Sequence, residues 1–372
     1  MKQDKGGRAR RTWLHAAAGA GAAMGLAAFG VGCAPMTGKP LLTGAVPSPD
    51  VFRIGVGSCV HQDLVQAIWQ PVLMDHPDLF VFGGDTVYAS EQPFSLEHLN
   101  AAYAKQEVQA GFAQLRASVA HMAIWDDNDY GLNDGGAAFA HKQASKDAFL
   151  RFWRVADEDP RRQREGLYHS EVFGSPGRRV QVILLDTRWF RSPWKVTDQR
   201  DAPGRERYLP DADPGKTMLG AAQWDWLAQQ LKIPAQVRLI VSGIQVLAQG
   251  HGWERWGNFP KEHQRLFDML GAARAEGVVL VSGDRHFGAL YRDQVGLPYP
   301  VTELTTSGMT HSWEAAKEPG PNRLGELFGG LNYGLVEVDW AQHQVRLLLK
   351  DAHGAVQRSA VLALDALQPG RT

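Results

Sequence analysis

The stretch VVLVSGDRH, residues 278–286, joins a run of apolar and small residues to three ionisable ones. A continuous apolar run of this length predicts a strand that is buried on both faces. Asp284, Arg285 and His286 follow where that strand ends, and burying such side chains without partners is costly. They form either an ordinary loop after a strand or a ligand site at its end. The choice depends on whether other strands of the chain end in the same way.

Five further apolar runs also lead into polar residues. They are IGVG (54–57) before Ser58 and Cys59, LFVFGG (79–84) before Asp85, HMAIW (121–125) before Asp126 and Asp127, VQVILL (180–185) before Asp186, and RLIVSGI (238–244) before Gln245. Amphipathic stretches lie between the runs, as in residues 219–231, where Trp224, Leu227 and Leu231 recur at helical spacing. Alternating strands and helices predict an α/β fold in which ligands gather at the carboxyl ends of the strands. Residues 335–340 and 345–351 alternate in polarity and predict a hairpin.

The composition is that of an ordinary globular protein with a large core. The 372 residues are 44% hydrophobic and 21% charged, with a formal net charge of −1. Near-zero net charge and the absence of a basic stripe give no reason to expect a nucleic-acid partner. The body of the chain has no uncharged apolar run long enough to predict a membrane bundle.

The first fifty residues differ from the rest. Arg10 and Arg11 precede Trp13, Leu14 and a long Ala/Gly-rich run, a pattern typical of a twin-arginine signal peptide over residues 1–34. The export machinery of that route is then a partner, and the protein is expected in the periplasm or cell envelope. Residues 35–50 are rich in Pro, Gly and Thr and predict a flexible tether, which leaves residues 51–365 for the catalytic domain.

Only two cysteines are present, Cys33 and Cys59. Cys33 follows the apolar run of the leader and is a candidate site for a lipid anchor. Cys59 then has no partner for an internal disulfide, although the protein goes to an oxidising compartment. It is therefore either a buried inert thiol or a metal ligand.

Two motifs carry oxygen donors. GGDTVY (83–88) places Asp85 after a strand with Tyr88 three residues on, and WDDNDYGLND (125–134) is rich in Asp and Asn. A solvated acidic loop is the alternative for the second motif.

Taken together, the motifs resemble the PhoD-like alkaline phosphatase/phosphodiesterase family of metallophosphoesterases. The resemblance rests on GSC (57–59), GDTVY (84–88), WDD (125–127), LDTR (185–188), LGAAQWDWL (219–227), QVLAQGHGWERWGNFPKE (245–262) and SGDRH (282–286). It implies a four-layer α/β/β/α sandwich with a single catalytic domain. It also implies hydrolysis of phosphate monoesters, diesters or both by attack of a metal-activated hydroxide on phosphorus.

The resemblance implies two metal sites. A ferric ion would take Cys59, Asp85, Tyr88 and His286, because Fe³⁺ favours anionic donors. The second metal would share Asp85 and add Asp126 and Asp284, with Gln245 as a further candidate. Oxygen donors favour Ca²⁺, or Mn²⁺ or Mg²⁺, over Zn²⁺ at that site.

Asn128 departs from the family pattern, which has a histidine there. Asparagine can orient a phosphoryl group but cannot supply a proton. Asn128 is assigned to catalysis, as are Asp85 and Asp126, and it is also assigned to substrate binding. His251 is a candidate replacement donor or else a loop histidine, and Arg188 either clamps a phosphate oxygen or forms a salt bridge. The alternative function is a non-catalytic or attenuated envelope metal-binding protein of the same fold.

Overall fold

The computed structural model describes residues 50–369. The predicted signal peptide, residues 35–49 of the predicted tether, and Cys33 lie outside the described residues. The described strands are β1 (Val51–Gly57), β2 (Leu79–Phe82), β3 (Ala120–Ala123), β4 (His169–Phe173), β5 (Val180–Leu185), β6 (Lys195–Val196), β7 (Tyr208–Leu209), β8 (Val237–Ser242), β9 (Val278–Ser282), β10 (Gly288–Asp293), β11 (Val301–Thr306), β12 (Asn332–Asp339), β13 (Gln344–Asp351) and β14 (Val356–Ala363).

The α-helices of the described range are short or medium in length. They are α1 (Trp69–Met74), α2 (Leu96–Glu107), α3 (Ala110–Ser118), α4 (Asp127–Tyr130), α5 (Lys142–Phe152), α6 (Pro160–Gln163), α7 (Gly220–Gln230) and α8 (Pro260–Ala272). Two single-turn 3₁₀ helices cover Trp256–Asn258 and Leu364–Leu367. Within residues 50–369, no helix combines the length and the apolar character needed to cross a membrane.

Two six-stranded sheets form the centre of the fold. The first has the order β14-β13-β12-β1-β2-β3 and the second the order β10-β11-β9-β8-β5-β4. The strands β1, β2 and β3 are parallel to one another, as are β5, β8, β9 and β11. Both parallel blocks therefore bring their carboxyl ends to one edge, where the polar residues that follow the strands collect.

The sheets pack face to face, with helices on the outside. Gly334 of β12 lies so close to β11 that a Cβ there would come within 2.7 Å of the Leu304 side chain. On the outer face of the first sheet, Phe82 of β2 packs edge-on against Phe112 of α3, with ring centroids 5.6 Å apart. On the second sheet, Gln181 of β5 donates to the backbone of Gln230 in α7 at 3.0 Å. The result is the four-layer α/β/β/α sandwich that the sequence predicts.

Five of the six predicted apolar runs lie within two residues of their strands at both ends, and the first run is the carboxyl-terminal half of β1. The hairpin is confirmed as β12 and β13, which pair antiparallel with Leu335 opposite Leu348. Strands β10 and β11 were not predicted. Strand β10 begins two residues after SGDRH, and β11 carries the buried polar residues Thr302 and Glu303 among its apolar ones. Neither strand shows the continuous apolar run that marks β9.

Candidate active site

A cavity of about 280 Å³ lies at the edge of the sheets where the parallel strands end. Its walls come from the loops after β2, β3 and β9 and from more distant loops. The residues that line it are Asp85, Asp127, Asn128, Asn133, Asp134, Arg207, Trp253, Glu254, Asp284, Arg285, His286 and Trp313. Of the predicted site residues, Asp85, Asn128, Asp284 and His286 therefore face this cavity directly.

Four of the predicted metal ligands have an unusual backbone conformation. Cys59, Asp85, Asp284 and His286 have φ angles of 63°, 51°, 69° and 55°, although none of them is glycine. Left-handed residues of this kind cost about 1–3 kcal/mol each and persist where the surrounding structure enforces them, often at functional sites. They follow strands β1, β2 and β9, so the strand ends turn sharply and point these side chains toward one place.

The first candidate ligand group consists of Cys59, Asp85 and His286. One donor atom from each lies within 4.8 Å of the others, and the Cys59 thiol lies 3.6 Å from Asp85 Oδ2. Tyr88 completes the group, since its hydroxyl lies 3.1 Å from His286 Nε2 and 3.4 Å from Asp85 Oδ2. The structure thus brings together all four side chains of the predicted ferric set.

Burial sets the proton affinities of this first group. Burial, together with the nearby Asp85 carboxylate, raises the pKa of the Cys59 thiol well above its ordinary value. Burial also raises the pKa of Tyr88, and it lowers the pKa of His286 to about 3. A neutral imidazole is a ready metal ligand, and a highly charged cation is what would favour thiolate and phenolate at such a buried position.

The second candidate group contains Asp85, Asp126 and Asp127, whose carboxylate oxygens also lie within 4.8 Å of one another. Asp126 is not among the residues that line the cavity. Its Oδ1 accepts a hydrogen bond from Arg188 Nε at 2.6 Å, so a guanidinium already neutralises it. Asp127 lines the cavity instead. Asp126 Oδ2 has no hydrogen-bond partner among the described residues, whereas both oxygens of Asp127 accept hydrogen bonds, from Asn128 and from the backbone N–H of Asp134. Both aspartates are therefore candidate ligands, and Asp127 is the one that faces the cavity.

Asn128 lies between the two groups. Its amide nitrogen donates to Asp85 Oδ2 at 3.2 Å and to Asp127 Oδ1 at 2.9 Å, while its carbonyl accepts from the Ser90 hydroxyl at 2.7 Å. Its backbone N–H also donates to Asp85 Oδ1 at 3.0 Å. Asn128 is therefore held at the cavity wall, with its amide donors directed at two carboxylates.

The short helix α4 is fixed by Asp129, a residue that the sequence analysis did not single out. Its carboxylate accepts the backbone N–H groups of Asp126 at 2.7 Å, Asp85 at 3.3 Å and Thr86 at 3.2 Å. Asp129 thus ties the loop after β2 to the loop after β3. Its position three residues after Asp126 gives the spacing of a capping box, a signal that was available in the sequence.

Six residues assigned to the site do not line the cavity, and three of them, Arg188, Gln245 and His251, also lie outside the two candidate ligand groups. The Arg188 guanidinium is fully buried, with Nη1 bonded to both Glu254 oxygens at 2.8 and 2.9 Å. Gln245 donates to Tyr291 at 3.2 Å and Thr305 at 3.1 Å. His251 is 1% exposed, and its Nδ1 accepts the backbone N–H of Trp253 at 3.2 Å. Arg188 therefore forms the salt bridge that was its alternative role, Gln245 bonds to strands β10 and β11, and His251 bonds within its own loop.

The cavity wall also contains residues that the sequence analysis did not assign to the site. These are Asp127, Asn133, Asp134, Arg207, Trp253, Glu254 and Trp313, together with Arg285, whose role was left open. Arg207 lies in an irregular segment, where neither periodicity nor a motif marks it. Asp127 is part of the WDD motif. The turn of the backbone after β3 directs the side chain of Asp127, rather than that of Asp126, toward the cavity.

The carboxylates of the cavity raise one another's pKa values. Burial and the neighbouring Asp127 and Asp126 raise the pKa of Asp85 well above its ordinary value, and burial and Glu254 do the same for Asp284. Burial raises the pKa of Asp127 to about 6 even though Arg188 is near. Cations bound among these groups would offset both the repulsion and the burial, so the side chains present fit metal ions.

Comparisons with known proteins place this arrangement in a family. Residues 54–319 match the family of PhoD-like phosphatases, whose members are metal-dependent. A search of curated proteins finds no match.

Solved structures show the same fold. A structure of PhoD is 16% identical with a TM-score of 0.65, over 86% of this chain and 69% of that one. The purple acid phosphatase PPD1 of yellow lupin (Lupinus luteus) is 10% identical with a TM-score of 0.58, over 86% of this chain and 55% of that one. GAP50 of Plasmodium, described as an anchor in the inner membrane complex, is 11% identical with a TM-score of 0.53, over 86% and 90%.

Proposed function

The chain belongs to the family of PhoD-like phosphatases and is a phosphoric ester hydrolase with the metallophosphoesterase fold, and we propose that it is an exported two-metal enzyme that hydrolyses phosphate monoesters, diesters or both. Its catalytic domain would extend over residues 51–365. One observation supports the two-metal assignment above all others. Four non-glycine residues with ligand side chains, Cys59, Asp85, Asp284 and His286, are held in left-handed conformations where β1, β2 and β9 end.

Iron is the metal we propose for the first site. Cys59, Asp85, Tyr88 and His286 would hold it, and three of these four offer anionic donors, which suits Fe³⁺. Burial of the thiol and the phenol means that only a strongly charged cation would keep both deprotonated.

Calcium is the metal we propose for the second site, with Mn²⁺ or Mg²⁺ as the other hard cations that fit oxygen donors. Asp85, Asp127 and Asp284 would hold it. Asp127 faces the cavity, and Asp126, one oxygen of which is bound by Arg188, stays a candidate beside it. Gln245 stays a further candidate, because its amide nitrogen donates to Tyr291 and Thr305 while its buried Oε1, the atom that would bind a metal ion, has no hydrogen-bond partner among the described residues.

When bound, two such cations supply Lewis-acid charge that stabilises the phosphoryl transition state and makes a water molecule more acidic. The chain's own residues would supply the positioning. Asn128 lines the cavity wall, and its amide group, which donates to Asp85 and Asp127, would hold these two carboxylates in place for the metal ions. Arg207 and Arg285 are the two cationic side chains of this wall and would attract the phosphate group. Arg188 would act indirectly, by holding Asp126 and Glu254.

We propose export by the twin-arginine route, with Arg10 and Arg11 as the recognition residues and Cys33 as a possible site of lipid attachment. The reason for this proposal is that the route transports folded proteins, which can bind their metal ions before export. Replacing both residues together (Arg10→Lys and Arg11→Lys) should leave precursor in the cytoplasm, measured by cell fractionation and immunoblotting. Unchanged localisation of the double variant would contradict the proposal.

A non-catalytic metal-binding protein is the second candidate, and Asn128 is the observation that favours it, because a proton-donating histidine is replaced. Turnover of p-nitrophenyl phosphate and bis(p-nitrophenyl) phosphate separates the two functions. Activity that a chelator removes and added iron and Ca²⁺ restore supports the enzyme. Metal binding without turnover of either ester supports the second candidate.

A further inference from the structure

Two tryptophans line the cavity side by side. The ring centroids of Trp253 and Trp313 lie 6.1 Å apart, with the rings inclined by 79°. Trp313 is 39% exposed, which makes it one of the few large apolar side chains on the surface. Because it also lines the cavity, its side chain is both accessible to solvent and part of the cavity wall.

The ring of Trp253 is already engaged by two guanidinium groups. Arg207 Cζ lies 4.8 Å and Arg285 Cζ 4.7 Å from its centroid. Each cation is anchored in turn, Arg207 by Asp134 at 2.8 Å and Arg285 by Glu318. Among residues 50–369, Trp313 has no cation over its ring and no ring partner besides Trp253. Trp313 is therefore the aromatic surface that remains available to a ligand.

The backbone of Trp313 is bonded to that of a predicted metal ligand. Its backbone N–H donates to the carbonyl of His286 at 2.6 Å. The chain is also fixed next to Trp253, because the following residue, Glu254, accepts a hydrogen bond from Arg188 Nη1 at 2.8 Å. The backbone that carries Trp313 is therefore fixed beside the ligand group, so part of the ordering that stacking requires is already in place.

We propose that Trp313 determines specificity by stacking against a planar ring on the alcohol part of the phosphate ester, so that the substrates are aryl or nucleoside phosphates. This inference rests on the proposed function. The cavity of about 280 Å³ is at the small end of ligand sites. The phosphoryl group therefore occupies its interior, and the alcohol group lies against the rim, where Trp313 is exposed.

Stacking on an aromatic side chain distinguishes planar from saturated rings. A stacked base typically gains about 5- to 150-fold in affinity, whereas a saturated ring of the same size offers only apolar contact. The test therefore compares 2-phenylethyl phosphate with 2-cyclohexylethyl phosphate. Their leaving alcohols have nearly equal acidity, so a difference in kcat/KM reports recognition of the ring rather than the ease of bond cleavage.

The wild type is expected to favour the phenyl ester by at least about fivefold. Trp313→Leu should reduce this preference to near one, and Trp313→Phe should retain most of it. Trp226→Leu is the matched control, because Trp226 is also partly buried but lies on α7 and does not line the cavity. The control should keep the full preference.

Two further arms complete the experiment. A nucleoside 5′-phosphate compared with ribose 5-phosphate shows whether a base is accepted as the ring, and the phenyl pair shows whether a simple aryl group suffices. Binding of 2-phenylethylphosphonate and 2-cyclohexylethylphosphonate, measured by calorimetry, gives the same comparison without turnover.

Equal use of planar and saturated rings by the wild type, or a preference that Trp313→Leu leaves unchanged, overturns this inference. If p-nitrophenyl phosphate is cleaved in that case, the proposed function still holds. If no ester is cleaved, the proposed function fails, and the phosphonate comparison alone decides the role of Trp313.

Discussion

Asn128 determines how much proton transfer the site can provide. Its amide lies against Asp85 and Asp127 at the cavity wall, and an amide has no proton to give a leaving group. We expect the enzyme to cleave p-nitrophenyl esters far better than alkyl esters.

Asn128→His should raise kcat/KM for alkyl phosphates, since general-acid help is typically worth about 10²- to 10⁴-fold. It should change the rate with p-nitrophenyl phosphate much less. Asn133→His is the control, because Asn133 lines the same cavity but lies outside the WDD motif. If wild type and Asn128→His depend equally on the leaving group, residue 128 is not at the proton-transfer position.

Arg188 was a candidate phosphate clamp, and its burial argues for a structural role. It binds Asp126 and Glu254 with no exposed surface. Arg188→Ala leaves the buried Asp126 carboxylate without its cation and leaves Glu254 with only the more distant Arg191 at 3.6 Å, a change that typically costs about 3–5 kcal/mol. Urea denaturation should show that loss. A variant of wild-type stability with a raised KM would instead support the clamp.

The loop after β8 packs closely against the residue that precedes helix α4. A Cβ on Gly243 would overlap the Asp126 carboxylate that Arg188 binds. Gly243→Ala should therefore displace Asp126, lower the free energy of unfolding by about 1–3 kcal/mol and reduce kcat.

Gly271→Ala in α8 is the matched control, because open space surrounds that position and alanine is the better helix former. It should leave kcat unchanged and stability equal or slightly higher. Wild-type stability and kcat in Gly243→Ala would show that the Asp126–Arg188 contact does not position the site.

The elements also show what the sequence can and cannot predict. Continuous apolar runs such as VQVILL identify buried parallel strands, because burial on both faces leaves no polar alternation. The sequence placed Cys59, Asp85 and His286 shortly after buried strands, whereas their grouping with Tyr88 as one ligand set came from the family resemblance. Asp127 was not chosen, because the backbone turn after β3 decides which of two adjacent aspartates faces the cavity.

Residues from distant loops were beyond sequence reasoning for a different reason. Arg207 and Trp313 reach the cavity from segments that have no periodic pattern, and only the packing of the two sheets brings them together. Arg188 and Glu254 likewise neutralise each other across 66 residues of chain.

For the whole molecule, the buried carboxylates predict how metal removal changes the pH dependence of stability. Burial raises the pKa of Glu254 and of Asp129 to about 8, whereas the same groups ionise near their ordinary values of 4.5 and 3.8 when unfolded. At a pH between the unfolded and the folded pKa values, these carboxyl groups are ionised in the unfolded chain but largely protonated in the folded one. The metal-free protein should therefore lose stability as the pH rises from about 5 to 8.

Bound cations should flatten this slope, because they favour the ionised carboxylates in the folded state. The melting temperature with chelator and with added iron and Ca²⁺, measured across that pH range, gives the two slopes. Glu254→Gln should remove part of the metal-free slope. A metal-free protein that becomes more stable as the pH rises through this range would contradict the electrostatic account.

The most direct test of the two-metal site is the visible spectrum and metal content of the purified protein. Thiolate or phenolate bound to Fe³⁺ absorbs visible light, so the account predicts a coloured protein that contains iron. Tyr88→Phe should shift or remove the absorption band while the fold is retained. A colourless, iron-free protein that hydrolyses phosphate esters at the full rate would contradict the assignment of Cys59, Asp85, Tyr88 and His286.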